Sequence, residues 1–288
     1  MLRAVKIVTE EINNMKNLLV YNYSYTADSF MKSVELYAEA NNCYPVSNDK
    51  VLPLISQSGN PELVVFLDKD IYLANYIESL GIRVINNSKT IEIFDDKFKT
   101  YLAVKEYIQQ PDTYSYPFTF NNTSPDAKYY SFIADNLGFP LVVKENHGSL
   151  GEQIYLVKNL KEMIDCSNKL RRIPHLFQRY IKTSEGMDLR FFIFGKKCRG
   201  AIKRINDKDF RSNVNLGGKL EVLNPNLYEK EKKVAEIIAE KFDLNFGSVD
   251  FFSNTEEPLL CEINTSPMIY NYFKLTGINL AEYITEQK

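Results

Sequence analysis

Short apolar runs alternate with amphipathic stretches through the first third of the chain, and this rhythm constrains the fold more than any other feature. It is typical of parallel strands joined by helices that cover the sheet. We expect strands at 18–23, 63–67 and 83–86, with helices at 29–40 and 71–80. Gly81 fits the C-terminal cap of the second helix, because glycine readily adopts the left-handed conformation that ends many helices. The unit is expected to close near residue 93.

The pattern changes after this unit. A helix is expected from about 95 to 109, because acidic residues stand at its positive end and Pro111 lies just beyond its finish. A strand or turn at 118–122 and a helix at 125–137 should follow. The next apolar or alternating runs are short and separated by glycines and charged turns, which is typical of antiparallel strands. These strands are expected at 140–144, 153–157, 175–181, 189–194 and 198–204, followed by an amphipathic helix at 228–241.

Composition excludes several classes of protein. With 288 residues, 44% of them hydrophobic, the chain can form two or three structural units. A net charge of -2 argues against a nucleic-acid-binding protein. The four cysteines have no Cys-x-x-Cys spacing, so neither a zinc site nor a disulfide framework is expected. No segment has about 18 consecutive apolar residues and the N-terminus lacks a signal-peptide core, so we expect a cytoplasmic chain without a membrane partner.

Two strands near the C-terminus, 246–253 and 258–264, should pair as a hairpin. A short turn without a bulge places Asp250 opposite Glu262, and Asn264 shares their face because strand side chains alternate. Two facing carboxylates among apolar neighbours are costly to desolvate unless a cation lies between them. Such oxygen ligands suit Mg²⁺ or Mn²⁺, and Mg²⁺ often binds carboxylates together with phosphate oxygens. The hairpin therefore predicts a metal and nucleotide site, and an edge hairpin with solvated acids is the alternative.

Candidate phosphate ligands occur upstream of the hairpin. The Gly148–Gly151 turn contains Ser149 and could bring backbone N–H groups to a phosphate as a movable flap, with a plain ligand-free turn as the alternative. Lys144 ends an apolar strand, where a lysine that faces inward would need an anion. The alternative is an edge lysine that extends to water.

Arginines supply further candidates. Arg190 and Arg204 are also embedded in predicted strands, and Arg211 begins a loop segment with Ser212 and Asn213. A guanidinium fork beside two short hydrogen-bonding side chains suits a phosphate. Neither a P-loop nor a dinucleotide-binding fingerprint is present.

The motifs follow one another in a recognisable order. They are Asp96-Lys97, Val143-Lys144, the Gly148–Gly151 loop, Gln178 to Ile181, Asp188-Leu189-Arg190, Phe210-Arg211-Ser212-Asn213, Gly217-Gly218, Val249-Asp250 and Glu262 to Pro267. This order resembles the ATP-grasp superfamily and, within it, the RimK-like ligases that add glutamate to a ribosomal protein. The resemblance covers roughly 96–282. It implies an α/β (α+β) ATP-grasp fold with an N-terminal Rossmann-like pre-ATP-grasp domain at 1–95, an ATP-grasp N-terminal subdomain with the flap at 96–177, and a C-terminal subdomain with the metal hairpin at 178–288.

The resemblance also implies residue roles. Nucleotide binding falls to Lys97, Lys144, Ser149 and Gly151 on the phosphates, to Arg179, Tyr180 and Ile181 at the adenine hinge, and to Asp188 near the ribose. The γ-phosphate and acyl phosphate face Arg190, Arg211, Ser212 and Asn213, with catalytic roles for Arg190, Arg211 and Asn213. Magnesium binds Asp250, Glu262 and Asn264. One departure is Arg179, because these ligases usually carry an acid at that position.

The implied activity is that of an ATP-dependent carboxylate-amine ligase. It would activate a carboxylate as an acyl phosphate and join it to an amine, releasing ADP and phosphate. The expected partners are ATP, an amino acid such as glutamate or another carboxylate, and an amine acceptor on a small molecule, peptide or protein, with a homo-oligomer as the expected assembly. A peptide-macrocyclising ligase and a non-catalytic ATP-binding sensor or scaffold are the alternatives.

Overall fold

The computed structural model describes residues 16–121, 123–149 and 151–284. Asn122, at the end of the predicted 118–122 segment, and Leu150, within the predicted flap, lie outside these ranges. The described chain folds around three sheets, each with its own helices. Every helix in the described ranges is too short or too polar to cross a membrane.

The N-terminal sheet is parallel, as the apolar rhythm predicts. Its strands are β1 (Asn17–Tyr21), β2 (Tyr44–Ser47), β3 (Leu63–Leu67) and β4 (Arg83–Ile85), in the order β2-β1-β3-β4. Its helices are α1 (Asp28–Ala40), α2 (Asn48–Ser58), α3 (Ile71–Ser79) and α4 (Ser88–Asp95). Alternate residues of β1 and β3 face opposite cores, so Leu19 and Val65 pack with α1 while Leu18 and Val64 pack with α2 and α3.

One predicted helix is wrong in its bounds. The segment expected to be a single helix from 95 to 109 breaks at Asp96, which has an extended conformation between α4 and α5 (Lys97–Val104). The Asp96 carboxylate accepts hydrogen bonds from the N–H groups of Phe98 and Lys99, so it caps α5. This break fixes Lys97 at the first position of a helix.

The second sheet is antiparallel and carries the predicted flap. Its strands are β5 (Thr113–Ser115), β6 (Leu141–Glu145), β7 (Ile154–Val157) and β8 (His175–Arg179), in the order β5-β8-β6-β7. Its helices are α6 (Ala127–Leu137) and α7 (Leu160–Lys169), which pack on the sheet around Phe177 and Val143. Residues 118–121 form no strand. The predicted boundary at 177/178 falls within β8, and the three domain ranges stay predictions.

The third sheet is antiparallel throughout and carries the predicted hairpin. Its strands are β9 (Met187–Phe194), β10 (Lys197–Ile205), β11 (Lys219–Leu223), β12 (Phe246–Phe252) and β13 (Leu260–Asn264), in the order β11-β10-β9-β12-β13. Phe191 and Ile193 of β9 pack with α8 (Glu229–Lys241) on one face. Arg190 and Phe192 point to the opposite face, where α1 and α9 (Tyr270–Thr276) pack against its apolar part.

Candidate active site

A cleft-shaped cavity lies between the second and third sheets, with about 890 Å³ of open space that includes solvent at its mouth. Most of the residues predicted from sequence line it: Lys97, Lys144, Ser149, Gly151, Arg179, Tyr180, Ile181, Asp188, Arg211, Ser212, Asn213 and Glu262. Arg190, Asp250 and Asn264 are not among its lining residues. The fold thus brings segments that are up to 165 residues apart in sequence, from Lys97 to Glu262, around one space.

Two lysines enter the cavity from different elements. Lys144 is only 8% exposed, and within the described ranges no hydrogen bond or ion pair engages its ammonium group. Lys97 donates to the carbonyl oxygen of Gly148 at 3.2 Å and lies 3.7 Å from a carboxylate oxygen of Glu262. Burial lowers the pKa of Lys97, and the nearby Glu262 carboxylate opposes this shift. A buried lysine without an internal acid is stable only if an anion can approach it.

Backbone groups of the predicted hinge lie at the cavity. The strand pairing of β8 ends at Arg179, so Tyr180 and Ile181 line the cavity outside the ladder. Their main-chain N–H and C=O groups are not used in strand pairing and can meet the polar edge of a planar ring, and the carbonyl oxygen of Ile181 also accepts a hydrogen bond from the N–H of Ser184 at 3.1 Å. The Arg179 side chain instead contacts Asp112.

A buried ionic cluster extends from the cavity wall, at Asp188 and Arg204, to Asp250 behind it. Asp250, which is fully buried, accepts hydrogen bonds from Arg190 at 2.8 and 2.6 Å and from Arg204 at 2.7 Å. Arg204 also holds Asp188, to which Ser212 donates at 2.7 Å. Burial alone would raise the pKa of Asp250, but the two guanidinium groups hold it below its usual range. Burial opposes ionisation of Arg204 as well, yet Asp188 and Asp250 raise its pKa.

The hairpin register agrees with the prediction at its central pair and differs beside it. Asp250 lies opposite Glu262, and Ser248 opposite Asn264. A bulge follows, because Phe251 pairs with Leu260 and Cys261 has no partner of its own. The prediction of a turn without a bulge was therefore wrong. The bulge places Cys261 in the wall of the cavity, where burial raises the pKa of its thiol to about 12.

The hairpin residues fit a magnesium ion unequally. Glu262 is partly exposed at the cavity, so its carboxylate is available as a ligand. In the described ranges, Nδ2 of Asn264 and Oγ of Ser248 are buried polar atoms without partners. Nδ2 is an N–H donor and cannot bind a cation, so Asn264 would use Oδ1 as its ligand atom. Asp250 already has guanidinium partners on both oxygens, so it could join a metal only by sharing them. No group of three His, Cys, Asp or Glu side chains in the described ranges is arranged to hold a metal.

The loop after β10 closes the cavity against the flap. Arg211 donates to the carbonyl oxygen of Gly151 at 2.6 Å and is held by both oxygens of Asp209, at 2.9 and 2.8 Å. A Cβ atom at Gly151 would lie 2.6 Å from Oδ1 of Asn213, so a larger residue would displace the Asn213 side chain. One at Gly218 would lie 2.4 Å from the carbonyl oxygen of Ser212. The glycines thus permit the close contact of flap and loop.

Some residues of the site carried no role in the sequence prediction. Arg204 was recognised only as a base embedded in a strand, although it connects Asp188 to Asp250. Asp209 carried no role, and its position two residues before Arg211 was the available signal. Cys261 could not be assigned to the cavity without knowledge of the bulge.

Comparisons with known proteins agree with this arrangement. A model of the RimK-like ATP-grasp domain matches residues 95–287. A probable alpha-L-glutamate ligase of Legionella pneumophila is 31% identical over 215 residues, covering 73% of this chain and 68% of the relative.

Solved structures show the same fold at low sequence identity. A D-alanine–D-alanine ligase from Bacillus anthracis has a TM-score of 0.70 at 19% identity, covering 94% of this chain and 95% of that protein. A RimK domain ATP-grasp protein from Sphaerobacter thermophilus has a TM-score of 0.67 at 16% identity, covering 93% and 97%. The fold class predicted from sequence is confirmed. The chain therefore belongs to the RimK-like ATP-grasp family, whose enzymes are carboxylate-amine ligases that use ATP with Mg²⁺ and form a C–N bond.

Proposed function

We propose that this chain joins an amino acid, with glutamate as the first candidate, to an amine acceptor on a small molecule or peptide. The observation that carries ATP use at this site is Lys144, which is buried in the cavity with no acid paired to its ammonium group in the described ranges. Glutamate is the first candidate because a relative that matches 73% of the chain is named as a probable alpha-L-glutamate ligase.

The hinge and the lysines support a division of the cavity into a base end and a phosphate end. The backbone of Tyr180 and Ile181 would bond the polar edge of adenine. Lys144 and Lys97 would contact the phosphates, with Ser149 of the flap above them. Phosphoryl transfer depends on such positioning and on neutralisation of charge more than on covalent help.

Magnesium is assigned chiefly to Glu262 and Asn264, with Asp250 as a third ligand that shares its oxygens with arginine. Mg²⁺ suits this set because it commonly takes one or two protein carboxylates together with phosphate oxygens. When bound, it would neutralise phosphate charge and orient the γ-phosphate. Arg190 is well placed to act next to it, since it is held against Asp250 in the same strand pair.

The proposed reaction has two steps. An oxygen of the substrate carboxylate attacks the γ-phosphorus, the bond from that phosphorus to the bridging oxygen of ADP breaks, and an acyl phosphate forms. The amine nitrogen then attacks the acyl carbon, phosphate leaves, and the amine proton passes to phosphate or solvent. Arg211 and Asn213, beside the flap, would hold the transferring group in place. Neither step needs a histidine or cysteine base.

The test is a measurement of ADP release by the purified chain with Mg²⁺ and ATP, against a panel of amino acids and short peptides. We expect release to require both a carboxylate and an amine, with glutamate among the active substrates, and mass spectrometry to detect the amide. Release without either substrate would instead indicate an ATPase or a sensor. Light scattering of the same preparation tests the expected homo-oligomer.

A further inference from the structure

The side chain of Arg179, beside the proposed adenine hinge, hydrogen-bonds to other residues of the protein. Its Nε and Nη2 atoms donate to one carboxylate oxygen of Asp112 at 3.0 and 2.8 Å. Its Nη1 donates to the carbonyl oxygen of Leu137 at 3.0 Å, and Nη2 also donates to that of Asn136 at 2.7 Å. Four of the five N–H donors of a guanidinium are thereby used. The side chain is 42% exposed, but most of its N–H donors are engaged by the protein and not available to a nucleotide base.

These contacts join three elements at one point. Asp112 precedes β5, and its carbonyl oxygen accepts a hydrogen bond from the Arg179 backbone at 2.9 Å. Asn136 and Leu137 end α6, where carbonyl groups lack partners within the helix and the helix dipole favours a cation. Arg179 therefore ties the last residue of β8 to an edge strand and to a helix end.

We propose that Arg179 is a positioning residue for the nucleotide, acting through the backbone of Tyr180 and Ile181. This inference rests on the proposed function, because it takes the base to lie against that backbone. The hinge directly follows Arg179, so loss of the tie would let the backbone donors and acceptors move relative to the base. The proposed phosphate ligands Lys97 and Lys144 lie on α5 and β6, and the Arg179 side chain bonds to neither element, so they would stay in place.

Substitution of Arg179 should therefore lower the affinity for nucleotide and leave the rate of the chemical step unchanged. Arg179→Gln removes the charge and most of the donors, while Arg179→Lys keeps the charge but cannot reach all three acceptors. In Arg179→Glu, a negative charge faces Asp112 and the helix carbonyl groups, so this variant should lose the most nucleotide affinity. The swap of Arg179→Asp with Asp112→Arg restores the ion pair alone, so it should recover part of the lost affinity.

Calorimetric titration with ADP, without metal or other substrates, measures the effect apart from turnover. We expect Arg179→Gln to weaken ADP binding about tenfold, the loss of roughly one charged hydrogen bond. In turnover the KM for ATP should rise while kcat holds. The matched control reverses the exposed pair Lys161 and Asp165 on α7, which should leave ADP affinity unchanged.

Thermal melting of every variant separates positioning from structural support. Wild-type ADP affinity in the Arg179 variants would overturn the inference, as would an affinity that falls only in step with the melting temperature and gains nothing from the swap. A wild-type protein that binds no ADP would overturn both the proposed function and this inference. Weaker ADP binding at unchanged kcat, with partial recovery in the swap, would support the positioning role.

Discussion

Arg190 holds Asp250 through two hydrogen bonds, from Nε to Oδ1 at 2.8 Å and from Nη2 to Oδ2 at 2.6 Å. The carboxylate opposite, on Glu262, has no such partner among the residues that the structure describes and lies 3.7 Å from the ammonium group of Lys97. Two acids that face each other across one strand pair thus differ in burial and in their ionic partners. Asp250 is a buried, neutralised part of the fold, whereas Glu262 is open to the cavity.

This difference predicts that two similar substitutions affect different properties, activity in one case and stability in the other. Glu262→Gln should abolish ADP formation and leave the melting temperature near that of the wild type, because no buried ion pair is lost. Asp250→Asn should destabilise the protein by about 3–5 kcal/mol, because it leaves Arg190 and Arg204 buried without their full counter-charge. Chemical denaturation and an ADP-release assay measure the two effects. Equal stability loss in both variants would contradict the distinction.

Lys144 should behave as a functional residue that costs stability. Lys144→Met removes a buried charge that has no internal partner in the described ranges, so the free energy of unfolding should stay the same or rise by about 1 kcal/mol. Nucleotide affinity should fall roughly ten- to a hundredfold, as expected for loss of a charge-assisted contact with phosphate. The stabilisation of each protein by added ATP in a thermal-shift titration checks both expectations. Destabilisation of the unliganded variant would show that the lysine has a structural partner.

The sequence predicted elements with strong local patterns and missed those without them. The four residues of β2 include Pro45, and α2 contains Pro53, so neither segment has the pattern of a regular element. Strand β11 alternates polar and apolar residues, as Lys219-Leu220-Glu221-Val222, but it is only five residues long and largely exposed. The omission of β2 left the N-terminal sheet with three predicted strands instead of four.

The ionic contacts of Asp250 depend on sheet order, which local sequence does not encode. The facing of Asp250 and Glu262 was predictable because a short turn joins their strands. The approach of Arg190 and Arg204, which are 60 and 46 residues away in sequence, depends on β9 lying between β10 and β12. The electrostatic argument from sequence placed a metal ion beside Asp250 and did not anticipate the two guanidinium groups that contact it; the metal itself stays a prediction.

Gly151 and Gly217 form a matched pair for testing the contact between flap and loop. Both have positive φ angles, +77° and +94°, so alanine at either position should cost about 1–2 kcal/mol in strain. A Cβ atom at Gly151 would also contact Asn213. A Cβ atom at Gly217 would have no atom of the described residues within 4 Å. We expect Gly151→Ala to lower the ADP-release rate strongly and Gly217→Ala to lower stability alone. Similar rates in the two variants would exclude a role for the Asn213 contact.

The base of the flap should be held by a pH-dependent ion pair. His147 contacts Asp95 at 2.9 Å, and this hydrogen bond raises the pKa of His147 above its usual value near 6.5. Because the folded-state pKa is the higher one, the contribution of His147 is complete below about pH 6.5 and is lost as pH rises through the folded-state value. His147→Gln should therefore destabilise the protein more at about pH 5.5 than at about pH 8.5.

The size of this effect should be modest, about 1 kcal/mol or less, because the histidine side chain is half exposed. Asp95 also pairs with Lys69 at 3.0 Å, so Asp95→Asn removes the partner of both cations. In an Asp95→Asn background, His147→Gln should cost the same at both pH values. A pH-dependent difference that persists there would mean that another acid raises the pKa of His147. Asp96, 3.8 Å from the histidine ring, is the next candidate.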